Sequence, residues 1–231
     1  MKKRRLLLVG ILVFTVFGIL IYPTLSWHRA ESENVALNQE LTEREERIRG
    51  LEEQVELYSD LVNVDRSELL TLVVGGHNEI GAIKNEILYW HNCGITDERA
   101  EYKSYYIYIM GEMNDIDPLF LTSVGIVESD LTHTENGEVV KSGENAKGIF
   151  QLTDIVYNKY DIDPEVFEEN VKGAVLFISH LKERYEEDLT AVLGHYNGGE
   201  NPYYNIENYT ETSNFVWQVN HIYESLKERV R

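Results

Sequence analysis

DPLFLTSVGIVES, residues 117–129, is the stretch from which the rest of the chain is read. Asp117 offers a carboxylate to cap a helix, and Pro118 suits a first helical turn, where its missing N–H is not needed. The apolar run LFLTSVGIV then predicts a helix buried on most of its surface. Glu128 falls at the end of that run, so its surroundings differ from those of the many glutamates elsewhere. A carboxyl group partly withdrawn from water resists ionisation and stays protonated near neutral pH, as a general acid must. By position alone, a glutamate at a helix end is more often a solvated surface group.

Downstream, Asp163-Pro164 repeats the start signal ahead of EVFEENVKGAVLFISHLKERYEED, where Val166, Val171, Ala174, Val175, Ile178 and Leu181 fall largely on one helical face. Between the two helices, THTENGEVVKSGENAKGIF carries an Asn136-Gly137 turn signal and little helical pattern. Tyr196-Asn197-Gly198-Gly199 reads as a helix stop followed by a loop. The fold class is therefore mostly α with a short hairpin or loop region. Residues 97–231 suffice for one independent core.

Upstream, residues 70–96 carry Leu72, Val73, Ile80, Ile83, Ile87 and Leu88 at helical spacing, with Gly75-Gly76 as a break, and read as a helical connector. His91 and Cys93 lie close in sequence, but without further ligands they make a poor metal site. Residues 31–69 fit a seven-residue pattern whose seam includes Leu37, Leu41, Ile48, Leu51, Val55 and Val62, flanked by Glu and Arg, as in a coiled-coil-like stalk. Parallel dimerisation through it and a single amphipathic helix folded back on the domain are both open, since Arg44 and Asp65 interrupt the seam.

Residues 6–27 contain no charged side chain and span about 33 Å if helical, enough to cross a bilayer. The preceding Lys2, Lys3, Arg4 and Arg5 favour a cytoplasmic N-terminus, and Tyr22 and Trp27 suit the far interface. An uncleaved anchor over residues 1–30 is the expectation, because the cleavage-site residues Thr24-Leu25-Ser26 are poor; a cleaved signal peptide would instead give a secreted protein. Either reading places the remaining chain outside the cytoplasm.

Charge excludes other classes. Of 21 Lys and Arg in the 231-residue chain, four sit at the extreme N-terminus, leaving 17 against 40 Asp and Glu. No basic face remains for nonspecific nucleic-acid binding. One cysteine permits neither an intramolecular disulfide nor a multi-cysteine zinc site.

Three short strings occur in order: Glu128-Ser129, then Gly148-Ile149-Phe150-Gln151-Leu152, then His195-Tyr196-Asn197-Gly198-Gly199. They resemble the Glu-Ser, Gly-Leu-Met-Gln and Ala-Tyr-Asn-x-Gly signatures of lytic transglycosylases of the soluble type (SLT, glycoside hydrolase family 23), relatives of goose-type lysozyme. The resemblance covers residues 116–221 and implies a lysozyme-like catalytic domain within residues 97–231. It also implies that Glu128 is the catalytic acid/base, cleaving the β-1,4 bond between N-acetylmuramic acid and N-acetylglucosamine and leaving 1,6-anhydro ends. Ser129 would hydrogen-bond that carboxyl group, Gly148 would permit close backbone approach, and Gln151, Tyr196 and Asn197 would contact the glycan. No metal or organic cofactor is implied.

Phe150 and His195 depart from the usual Met and Ala, which would alter how a sugar ring is held. Glu211-Thr212-Ser213-Asn214-Phe215-Val216 resembles the family's Glu-Thr-x-x-Tyr-Val segment, but Phe215 lacks the tyrosine hydroxyl and is read as a packing residue, with Glu211 a structural partner. Classical glycosidases use two carboxyl groups about 5–5.5 Å or about 6.5–9.5 Å apart. Asp130, Glu135 and Glu144 are the sequence neighbours available, in polar surroundings that suit solvated groups. The expected protein is a membrane-anchored peptidoglycan lytic transglycosylase. Its expected partners are glycan strands, the cytoplasmic membrane, a second copy through the stalk and cell-envelope machinery. A muramidase using water and a catalytically weak wall-binding module are the alternatives.

Overall fold

The computed structural model describes residues 66–231 apart from 92–94, 136 and 143–144, together with Asn38, Leu41, Thr42 and Arg44. The chain divides into two units, Met1–Leu61 and Val62–Arg231. In the first, the four described positions are helical, and Thr42 Oγ1 donates to the Asn38 carbonyl at 2.9 Å. The apolar run at 6–27 and most of the expected stalk lie outside the described residues. Among the described residues, no helix is long and apolar enough to cross a membrane.

The second unit is mostly α. Its elements are α1 (Arg66–Gly75), α2 (His77–Trp90), α3 (Asp97–Glu112), α4 (Pro118–Ser129), β1 (Thr134–Glu135), β2 (Glu138–Val139), α5 (Asp154–Tyr160), α6 (Phe167–Arg184), α7 (Leu189–Gly198), α8 (Pro202–Asn208) and α9 (Thr210–Val230). Helix α4 lies at the centre, packed chiefly against α9 and α3. Every residue from Pro118 to Ile126 is buried. Thr122 and Ser123 are tolerated there because each hydroxyl donates to the carbonyl four residues back, at 2.7 Å. Asp117 caps the helix through the Leu119 N–H at 2.9 Å, and its other oxygen accepts from the Tyr223 hydroxyl at 2.6 Å. One carboxylate thus starts α4 and ties it to α9.

Residues 70–91 of the expected connector are built into this unit. Val73 on α1 and Ile80, Ile83 and Ile87 on α2 are buried, and α2 packs on α3 and α9. The break at Gly75-Gly76 separates α1 from α2. A Cβ on Gly76 would stand 1.9 Å from the Tyr108 ring, so Gly76→Ala is expected to lower stability by about 1–3 kcal/mol in denaturant unfolding. An unchanged midpoint would mean that Tyr108 has room to withdraw.

The expected turn corresponds to a two-stranded antiparallel hairpin, with Thr134 opposite Val139, Glu135 opposite Glu138, and Gly137 at φ +84°. The start expected at Asp163-Pro164 needs correction. Asp163 instead closes a turn, accepting from the Glu165 N–H through its side chain at 2.9 Å and from the Val166 N–H through its carbonyl at 3.1 Å. Helix α6 begins at Phe167, and Val166 lies before it and is exposed. His91 Nε2 donates to the Leu131 carbonyl at 2.9 Å. Cys93 and Glu144 fall outside the described residues.

Candidate active site

Three chain segments meet where the motifs predict. Helix α4 supplies Glu128 and Ser129 at its last turn, the turn 148–151 faces that end, and α7 supplies Tyr196 and Asn197 at its own last turn. Glu128 is half-buried, with no hydrogen bond or ion pair to its carboxyl among the described residues. Burial pushes its pKa up to about 8, with no neighbouring carboxylate contributing. The group is therefore mostly protonated at pH 7. Asp130, at the left-handed C-cap of α4, and Glu135, on the hairpin, are exposed.

The turn 148–151 is held by side chains from four directions. Ser129 Oγ donates to the Ile149 carbonyl at 2.7 Å, and Tyr196 Oη donates to the Phe150 carbonyl at 2.7 Å. The Ile149 N–H donates to His133 Nδ1 at 3.3 Å, and the Phe150 N–H donates to Asn170 Oδ1 at 3.0 Å. Because Nδ1 of His133 accepts, its Nε2 carries the proton and donates to the Glu165 carbonyl at 3.0 Å; burial lowers the pKa of this ring and keeps it neutral. Asn170, fully buried, also donates from Nδ2 to Lys147 and Pro164 carbonyls at 2.9 and 3.3 Å. Gly148 has φ +78°, and a Cβ there would come within 2.4 Å of the Asn170 amide. Both the backbone angle and the close approach require glycine.

These contacts revise several expected roles. Ser129 gives its single hydroxyl proton to the turn and not to Glu128, which leaves the acid without a hydroxyl donor from that side chain. Tyr196 likewise spends its hydroxyl on the turn, while its ring stacks on Phe215 at 6.2 Å and 3°. Burial, reinforced by the charge of Glu128 when ionised, raises the Tyr196 pKa well above that of a free phenol. Gln151 donates from Nε2 to the Gly148 carbonyl at 2.7 Å, so its carbonyl oxygen is the atom left for a ligand. Asn197 is exposed, with no protein hydrogen bond among the described residues, and keeps both donors and its acceptor.

Phe150 is fully buried, its ring 3.3 Å from where a Cβ on Gly125 would lie, so it packs behind the turn and holds no sugar. His195 Nδ1 and the Tyr185 hydroxyl share a hydrogen bond at 2.7 Å, joining the start of α7's last turn to the end of α6. Phe215 is a packing residue, 5% exposed; Glu211 is exposed in the first turn of α9. Sequence reading misses His133 and Asn170. Asn170 carries one signal: an amide three residues after Phe167 and four before Ala174, on the face where α6 is otherwise apolar.

The arrangement can therefore deliver one proton from an uncharged acid at a rigid wall, with Gln151 and Asn197 offering amide contacts nearby. Residues 106–216 match the Transglycosylase SLT domain family. No curated protein matches the chain. Among solved structures, the chain is similar to an inactive mutant of the lytic transglycosylase Slt from Pseudomonas aeruginosa, at 13% identity and a TM-score of 0.46. That alignment covers 75% of this chain and 32% of the other, so this chain spans about a third of the length of that relative. Glu128, the 148–151 turn and the end of α7 all fall within the segment, residues 106–216, that is similar to the Transglycosylase SLT domain.

Proposed function

We propose that the chain is a membrane-anchored peptidoglycan lytic transglycosylase with Glu128 as its single general acid/base. The observation that carries this reading is the Glu128 carboxyl, largely withdrawn from water and without a protein hydrogen bond among the described residues, at the meeting point of the three motif segments. The acid gives its proton to the oxygen between N-acetylmuramic acid and N-acetylglucosamine as the C1–O bond breaks. The resulting carboxylate then takes the proton of the muramic C6 hydroxyl, whose oxygen bonds to C1 of the same sugar. No water is consumed, and Glu128 ends protonated as it began. A hydrolytic route with two carboxylates is less well supported, because no described carboxylate acts on Glu128 and Asp130 is solvated.

Residues 6–27 would anchor the chain in the cytoplasmic membrane with the N-terminus inside, and residues 31–69 would carry the domain toward the wall as a stalk. A stalk seam suited to a second copy, together with an anchor, fits a role beside envelope machinery; if residues 1–30 are cleaved, the same domain acts as a secreted enzyme. The test is release of soluble muropeptides from purified peptidoglycan by the full chain in detergent. Steady release supports the reading, and binding without release replaces it with a wall-binding module.

The pH dependence has a defined sign. Protonated Glu128 is the active form, so kcat/KM should fall about tenfold per pH unit above about 8. A profile flat from pH 6 to 9.5 contradicts the assignment.

A further inference from the structure

A second feature lies at the Glu128 end of α4. Trp90, the last residue of α2, and Trp217 on α9 line a groove of about 330 Å³ together with Val127, Asp130, Gln218 and His221. Helices α4 and α9 run antiparallel, since Asp117 at the start of α4 meets Tyr223 while Val127 and Asp130 near its end meet Trp217. The groove therefore borders the same last turn that presents Glu128.

Both indoles show much of their surface to solvent, 64% for Trp217 and 38% for Trp90. Each is nevertheless braced. Trp217 stacks on His221 at 5.1 Å and 7°. Trp90 Nε1 donates at 3.2 Å to Glu86, a buried carboxylate that Arg229 clamps at 2.8 Å, and Tyr89 meets the Trp90 ring edge-on at 5.2 Å. Large apolar rings held rigid in water point to a ligand that covers them. Among the described residues no Lys or Arg lines the groove, which disfavours an anionic ligand. Flat apolar surface rimmed by an amide, a carboxylate and an imidazole suits a neutral pyranose, whose axial C–H face stacks on an indole while hydroxyl and acetamido groups reach the rim. Val127 and Asp130 lie within the matched segment 106–216, and Trp90, Trp217, Gln218 and His221 lie outside it.

We infer that this groove is a glycan subsite, in which Trp217 stacks on an N-acetylhexosamine unit of the strand at a distance from the bond being cleaved. The identity of the glycan rests on the function proposed above; the stacking chemistry does not. The test uses the full chain carrying Glu128→Gln, which leaves the ligand intact, titrated with the β-1,4 tetramer of N-acetylglucosamine while tryptophan fluorescence is followed. A saturable change is expected, weakened about tenfold or more by Trp217→Ala, with circular dichroism unchanged because the ring is exposed. In the chain with Glu128 intact, Trp217→Ala should raise KM for peptidoglycan about tenfold and leave kcat within about twofold. Equal tetramer affinity with and without Trp217, or no binding by either chain, overturns the subsite. Binding that depends on Trp217 in a chain that releases no muropeptides upholds the subsite and removes the catalytic reading. Normal release with KM unchanged by Trp217→Ala does the reverse.

Discussion

Glu128→Gln is expected to lower release of muropeptides by about 10²–10⁴-fold while leaving glycan binding intact, because the amide keeps the shape of the acid and cannot deliver its proton. Few substitutions should have so large an effect on rate with so little on the fold. Stability should in fact rise. The folded-state pKa of about 8 lies above the ordinary carboxylate value, so the unfolded chain loses this proton more readily than the folded one. Ionisation therefore works against the fold progressively from about pH 4.5 to 8 and fully above that. The amide of the variant has no such proton to lose, so its unfolding stability should match the parent near pH 4 and exceed it at pH 8.5 by a margin on the order of a few kcal/mol. A parent and variant of equal stability at pH 8.5, or equal rates of release, would remove Glu128 from this role.

The second large effect concerns a residue that touches no substrate. Asn170→Ala should cost about 2–4 kcal/mol, because it strips partners from the Phe150 N–H and the Lys147 and Pro164 carbonyls in a fully buried place. For a unit of this size that corresponds to a fall of about 5–15 °C in melting temperature. Activity should fall further than stability, since the turn that Asn170 holds also carries Gln151 and receives Ser129 and Tyr196. A purely structural role would lower the amount of folded enzyme and leave kcat per folded molecule unchanged. The positioning role predicts that kcat itself drops at a temperature where the variant is still folded.

The parts of this molecule legible in the sequence are those governed by neighbours along the chain. Asp117 and Pro118 announce α4, Gly199 ends α7 at φ +77°, and Gly137 at φ +84° marks the hairpin turn, all through local backbone preferences. The raised pKa of Glu128 also follows from local context, as the end of an apolar run. What cannot be read are partners far away in the chain. Tyr196 reaches the Phe150 carbonyl across 46 residues and Ser129 reaches the Ile149 carbonyl across 20, so these motif side chains fasten the turn through contacts that sequence spacing does not show. His133 joins the same network from just before the hairpin with no sequence pattern to mark it. The start of α6 is misplaced by sequence because Asp163-Pro164 serves equally well to close a turn before a helix as to begin one.

These observations order the site by distance from the chemistry. In the proposed mechanism Glu128 holds the proton and Gln151 and Asn197 offer amide atoms to a sugar, while Ser129, His133, Asn170 and Tyr196 fix the turn at the end of α4 through their hydrogen bonds. Phe215 contributes the plane on which Tyr196 rests, in place of a hydroxyl.

The most direct measurement is the mass of the ends that the full chain releases from purified peptidoglycan. Ends lighter by one water, the 1,6-anhydro form, are the predicted result. Reducing ends would contradict the account, since they require a water molecule that the proposed single-acid mechanism does not use.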